Sequence, residues 1–145
     1  MLTKDYPDHH DADLVLKLYE MRREAIMRAS RAAINADFWP KNWDEVQAVT
    51  KQDHPLNAAW RQVSTYWEMV YGMAKHGVVH PDFMMESCGE GVFLFARVEP
   101  YLTQLREINP FAFRNAEWVV TNSERGKALL ELFRKRVQAA LAARS

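Results

Sequence analysis

The chain has one cysteine, Cys88, in 145 residues. A single thiol excludes an intramolecular disulfide and any zinc site built from several cysteines of one chain. Glycine is also scarce, with five residues. Hairpin turns therefore have few places to form, and no stretch alternates apolar and polar residues long enough to argue a sheet. There is no surplus of charge: Lys plus Arg and Asp plus Glu both number 19. That balance removes the general electrostatic reason for binding DNA, RNA or an anionic membrane. The longest strongly apolar run, Val92 to Ala96, is far short of a membrane span. The opening residues are polar and lack the apolar core of a signal peptide, so a cytoplasmic protein is expected. Neither G-x-S-x-G, nor a Walker loop, nor G-x-G-x-x-G, nor Glu-x-x-His occurs, so nothing points to a serine hydrolase, a nucleotide binder or a diiron bundle. No cofactor is expected.

What the chain does have is aromatic and apolar mass at helical spacing. Apolar residues make up 48%, with five Trp, five Tyr and seven Phe. Leu56, Ala59, Trp60, Val63, Tyr66 or Trp67, Val70, Met73 and Ala74 form a wide stripe between Pro55 and Gly77. A stripe of that width belongs to the central rod of a packed helical domain. A first helix is expected over about Asp11 to Asn35, with Leu14, Leu18, Met21, Ala25, Ala29 and Ala32 on one face. Asn42 and Glu45 suggest a cap for a short helix containing Trp43, Val46 and Val49. Asp53 or His54 is expected to cap the central helix, and Gly77 to close it in a left-handed conformation. Further helices are expected from Pro81 to near Gly89, from Gly91 to Ile108 with a kink near Pro100, and from Phe111 to Val120. A last helix capped by Ser123 carries the narrow stripe Leu129, Leu132, Phe133, Val137 and Leu141, and its tail from Gln138 is expected to fray. The fold class is all-α: one helical bundle of six or seven helices over residues 11–143, three long ones braced by short ones, behind a flexible polar tail over residues 1–10.

Few residues carry chemistry. His76, His80 and Asp82 have the spacing of a two-His, one-carboxylate metal site, but Gly77 interrupts the helix between the histidines. His80 reads better as the cap of the helix begun by Pro81. Glu68 lies within the apolar central helix, where a buried carboxylate needs a partner such as Arg61, Arg97 or Arg106. It is otherwise a pKa-shifted acid or base. Met69, Met73 and Met84 lie near aromatic residues. Methionine fills irregular spaces, so Trp67, Glu68, Met69, Met73 and Met84 are the candidate lining of an apolar ligand cavity. Residues 123–145 carry a net +4 and residues 80–107 a net −3, ordinary solvated faces that can pair with each other. The arginine strip on the first helix is diluted by Glu20 and Glu24, so nucleic acid is an unlikely partner.

From Trp60 to Val119 a series of packing residues repeats a recognisable order. It begins with Tyr66-Trp67 on an apolar helix, then Gly77-Val78-Val79-His80-Pro81-Asp82, then Gly89 to Gly91. Pro100-Tyr101, Arg106-Glu107 and Glu117-Trp118 follow. This stretch resembles a family of small uncharacterised bacterial all-helical proteins, a domain of unknown function. The resemblance implies a helical fold and transfers no catalytic residue. Many members carry an N-terminal membrane helix, which has no counterpart in these residues. Three functions are therefore weighed: protein–protein contact with self-association, which leads; binding of a small apolar or amphipathic ligand; and a metal-dependent or acid–base enzyme. An exposed apolar patch favours the first, a pocket of a few hundred cubic ångströms with convergent polar groups the second, and histidines meeting at a common point the third.

Overall fold

A computed structural model describes residues 4–145. Among them the chain forms nine α-helical segments and one 3-10 turn, with no strand. They are α1 (His9–Arg22), α2 (Ala25–Asp37), α3 (Trp43–Val49), α4 (Asn57–Lys75), α5 (Pro81–Ser87), α6 (Glu90–Val98), the 3-10 turn Glu99–Tyr101, α7 (Leu102–Ile108), α8 (Arg114–Asn122) and α9 (Glu124–Ala143). If α6, the turn and α7 count as one interrupted rod, there are eight helices rather than six or seven. The interruption falls at Pro100, where a missing N–H breaks the ladder.

The extra helix comes from the first one. The expected continuous helix over 11–35 breaks at Arg23-Glu24. The Glu24 carboxylate accepts from the N–H groups of Ile26 and Met27, both at 3.0 Å, and so caps a new helix. The break shifts the phase of the apolar face. Val15, Leu18, Met27 and Ile34 point inward, whereas Met21, Ala25 and Ala29 of the expected face, and Ile26, are exposed. The start also differs. The helix begins at His9 rather than near Asp11, capped by Asp8, and Asp11 in its first turn is fully buried.

The central helix forms as its stripe demands. In α4, Trp60, Val63, Tyr66, Trp67, Val70, Tyr71 and Ala74 are buried, and both indoles lie inside the molecule. Helices α2 and α8 pack on its two sides, while α9 lies across α6 and α8. The helix starts at Asn57, two residues after Pro55, without a side-chain cap. His54 instead holds the preceding turn, its Nδ1 accepting from the Leu56 N–H at 3.0 Å. Gly77 does close the helix, at φ 75°. His80 caps α5 and Ser123 caps α9, accepting from Phe83 N and Gly126 N respectively. In α9, Leu130 and Val137 are buried, but Leu132, expected in the stripe, is exposed. The helix continues to Ala143.

Candidate ligand-binding cleft

A concave space of about 370 Å³ opens between α4, the C-terminal end of α7 and the 109–113 loop. Trp60, Leu105 and Phe113 form its apolar wall, and Ile108 and Phe111 stand at it largely exposed. Phe111 is 79% exposed, an unusual position for a phenylalanine with nothing against it. The loop that carries it is fixed. Asn109 Oδ1 accepts from Phe111 N at 3.1 Å, Arg106 Nε donates to Ala112 O at 3.0 Å, and Phe113 adopts a left-handed φ of 57°. A bulky residue at positive φ is strained and persists only where surrounding contacts hold it. Here the Phe113 ring is buried and packs against Trp60 and Phe95, with centroids at 5.7 and 6.3 Å. The strained residue also sets where α8 begins, at Arg114 rather than Phe111.

Two charged residues line the cleft, Arg61 and Glu68. They are seven residues apart on α4, about 10 Å along the axis. The Glu68 carboxylate accepts from Asn115 N at 3.0 Å and Ala116 N at 2.8 Å, and Asn115 Nδ2 donates to Glu68 O at 3.0 Å. A side chain of α4 thus supplies the N-terminal acceptors that α8 lacks from its own cap. Burial raises the Glu68 pKa; the Asn115 and Ala116 N–H groups, Arg106 and Lys75 oppose that rise. Arg61 is held differently. Asn57, 3% exposed, donates from Nδ2 to Val49 O at 2.9 Å and accepts from Arg61 Nε at 3.0 Å. Arg61 is exposed, and this one bond orients its guanidinium while its two terminal nitrogens bond nothing among the described residues, and no carboxylate there forms an ion pair with it.

The five residues expected to line a cavity do not come together. Glu68 alone borders this cleft. Trp67 and Met84 are sealed in the core at 2% and 0% exposure, Met69 is 42% exposed, and Met73 is half-buried. Adjacent helical positions point about 100° apart, so Trp67, Glu68 and Met69 cannot face one space. The lining that forms instead comes from the α4 positions 57, 60, 61, 64, 65 and 68. The i, i+4 pairing of Asn57 with Arg61 was readable from spacing. The contribution of the 109–113 loop was not.

The histidine set is dispersed as well. His76 is exposed, whereas His80 is buried with Nδ1 committed to Phe83 N. Asp82 Oδ1 accepts from Ser123 Oγ at 2.6 Å and Arg125 N at 3.3 Å, tying α5 to the start of α9. Among the described residues no group of three or more His, Cys, Asp or Glu stands close enough to hold a metal ion.

Two other polar features are structural in layout. A wider hollow of about 580 Å³ between α7, α8 and α9 is lined by charges, of which Arg134 and Glu99 already pair through Nε and Oε1 at 2.9 Å. On the far side of α4, Arg97 donates to Ile34 O at 3.0 Å, Phe38 O at 2.9 Å and Asn35 Oδ1 at 2.8 Å, and stacks on Trp39 and Phe93. Arg31 grips Glu90 with two nitrogens, at 2.6 and 3.1 Å. These groups saturate one another and leave no room for a water-sized guest.

The sequence pattern of one protein family, a domain of unknown function (DUF4760), matches residues 7–123. The chain belongs to DUF4760. The match spans α1 to α8 and therefore includes the whole cleft, while α9 follows it. No curated protein and no solved structure matches the chain. The DUF4760 description assigns no activity, so a role for the cleft has to be argued from its own chemistry. Among the described residues no helix is long and apolar enough to cross a membrane.

Proposed function

We propose that the chain is a binding domain that holds a small amphipathic molecule in the cleft beside α4. The observation that carries this reading is a concave aromatic wall, Trp60 and Phe113, combined with an oriented guanidinium, Arg61, that has no carboxylate partner among the described residues. Apolar lining with a few placed polar groups is the usual composition of a ligand site, and 370 Å³ is at the lower end of the usual size. The commitment of Glu68 to the α8 backbone supports a structural role for that carboxylate rather than proton transfer. A cytoplasmic place is part of the same reading, supported by a lone buried cysteine that needs no oxidising surroundings.

Native mass spectrometry with metal analysis on purified protein tests this directly. The expected result is a retained or added small-molecule mass that is lost in Ser64→Phe, which fills the cleft. Identical binding by Ser64→Phe and the parent chain would refute the proposal.

Self-association is a second reading with its own observation. Leu16 and Tyr19, one turn apart on α1, and Ile26 at the start of α2 are 67%, 50% and 66% exposed. An apolar face that a second copy covers would account for them. Sedimentation velocity should then show a concentration-dependent dimer in the parent chain and a monomer in Leu16→Lys/Ile26→Lys. A parent chain that stays monomeric to high concentration rules this reading out.

A further inference from the structure

We infer that the cleft is built for an organic monoanion, a molecule with a ring-sized apolar body and one carboxylate head seated at Arg61. This rests on the reading of the cleft as a ligand site and adds the chemical class of the ligand. Three observations carry it.

The first is that Arg61 is the only cation among the lining residues, and no carboxylate among the described residues answers its charge. Glu68, the only acid there, is answered by two α8 N–H groups. The uncompensated charge of the cleft is therefore positive. The second is that Arg61 is positioned. A flexible surface arginine makes a poor recognition group because fixing it costs side-chain entropy. The Val49–Asn57–Arg61 relay has already met part of that cost and leaves Nη1 and Nη2 free to bind two carboxylate oxygens in parallel. The third is the shape of the remaining lining. The hydroxyls of Thr50, Ser64 and Thr65 each donate to a carbonyl of their own helix, at 2.6, 2.7 and 2.6 Å. They offer little to a second polar group; the two carboxamides of the lining, Asn57 and Asn109, spend their Oδ1 atoms on Arg61 Nε and Phe111 N, and the remaining wall is aromatic and aliphatic. One guanidinium suits a single negative charge. A phosphate dianion would lack a second cation, and the Glu68 carboxylate would repel it from the far end.

The test uses three probes with one ring system: 2-naphthoate, 2-naphthamide and 2-naphthylmethylammonium. Affinities for the full chain are measured by calorimetric titration, with ligand-observed NMR for the weaker ones. The acid should bind about fivefold or more tightly than the amide, as expected of one charge-assisted contact at a partly exposed site. The ammonium should be weakest. In Arg61→Gln the acid should lose its advantage while the amide keeps its affinity, and raising the salt should shrink the advantage in the parent chain. Equal binding of acid and amide would overturn the monoanion inference and leave the cleft reading standing. Tightest binding of the ammonium would also overturn it and would point to Glu68. If no probe binds, or if binding survives Ser64→Phe, both the cleft reading and this inference fall.

Discussion

Replacing Asp11 with alanine should be among the most damaging single changes in α1. Asp11 is fully buried in the first turn of α1, and its carboxylate serves three donors. Oδ2 accepts from Asp8 N at 2.8 Å and Lys4 Nζ at 2.9 Å, and Oδ1 accepts from His80 N at 2.7 Å. The last bond is long-range and joins α1 to the start of α5. Without the carboxylate, the buried His80 N–H has no acceptor, which costs about 1–3 kcal/mol. Half of the reciprocal cap at Asp8 is lost as well, at about 1 kcal/mol. The expected total is about 2–4 kcal/mol, or a fall in Tm of about 6–12 °C for a domain of this size. Urea unfolding followed by far-UV circular dichroism reads this as a lower midpoint at unchanged m-value. Asp13→Ala is the control, since Asp13 is exposed and makes no side-chain bond among the described residues. It should cost under about 0.5 kcal/mol. The pH dependence supplies a second check. Burial pushes the Asp11 carboxyl up, but the Lys4 ammonium and the N–H groups of Asp8 and His80 outweigh burial and hold it well below its ordinary 3.8. A depressed native pKa contributes stability that is fully present above the unfolded value and is lost as pH falls toward the native one. The stability gap between the parent chain and Asp11→Asn should therefore be constant from pH 7 to 5 and narrow below about pH 4. Equal effects of Asp11→Ala and Asp13→Ala, or a gap that widens in acid, would refute this account.

Three further changes have defined outcomes. Glu68→Ala removes the acceptors for two α8 N–H groups and should cost about 1–3 kcal/mol in urea unfolding. Because burial raises the native Glu68 pKa above 4.5, its ionisation contribution runs opposite to that of Asp11: it favours folding below pH 4.5 and fades as pH rises through the native value, which pH-resolved denaturation of Glu68→Gln should expose. Arg97→Lys should lose about 2 kcal/mol or more, since an ammonium cannot span Ile34 O, Phe38 O and Asn35 Oδ1 while stacking on Trp39. Burial pulls the guanidinium down to about 10 while Glu90 holds it up, so Arg97 keeps its charge at neutral pH. Gly91→Ala should destabilise by about 1–3 kcal/mol, because its Cβ would lie 2.6 Å from Tyr71 Oη and 2.7 Å from the Trp67 ring, two buried groups that stack on each other. A gain in thermal stability for Gly91→Ala would contradict that packing.

The apolar framework was legible because periodicity reports burial directly. The stripe from Trp60 to Ala74 could satisfy itself only inside a bundle, and it does. The caps at His80 and Ser123 and the stop at Gly77 were legible too, since each depends on residues within three positions. The break at Glu24 was not. A glutamate in a basic helical face reads as a surface charge, and only its carboxylate folding back on Ile26 and Met27 turns it into a helix start. The same limit explains the site. Asp11, Glu68 and Arg97 each bond a backbone group 47 or more residues away, and those partners have no local signature.

The candidate cleft shows why the lining was misplaced. Methionines and aromatics near Glu68 suggested a cavity on that side of α4, but the most apolar side of a central helix is the one its neighbours fill. Open space arises where packing stops, along the shoulder of α4 where the short side chains of Asn57, Ser64 and Thr65 stand beside the outward-reaching Arg61. There α7 ends at Ile108, and the Asn109-Pro110 turn forces the chain into the strained Phe113 before α8 can begin. A binding site in a small helical bundle is thus best sought at the boundary between the apolar stripe and the polar face, next to a loop whose backbone is held against its preference. The sequence mark of such a place is a run of short polar residues one position off the stripe, opposite a proline-broken aromatic segment, and both halves of that mark are present in this chain.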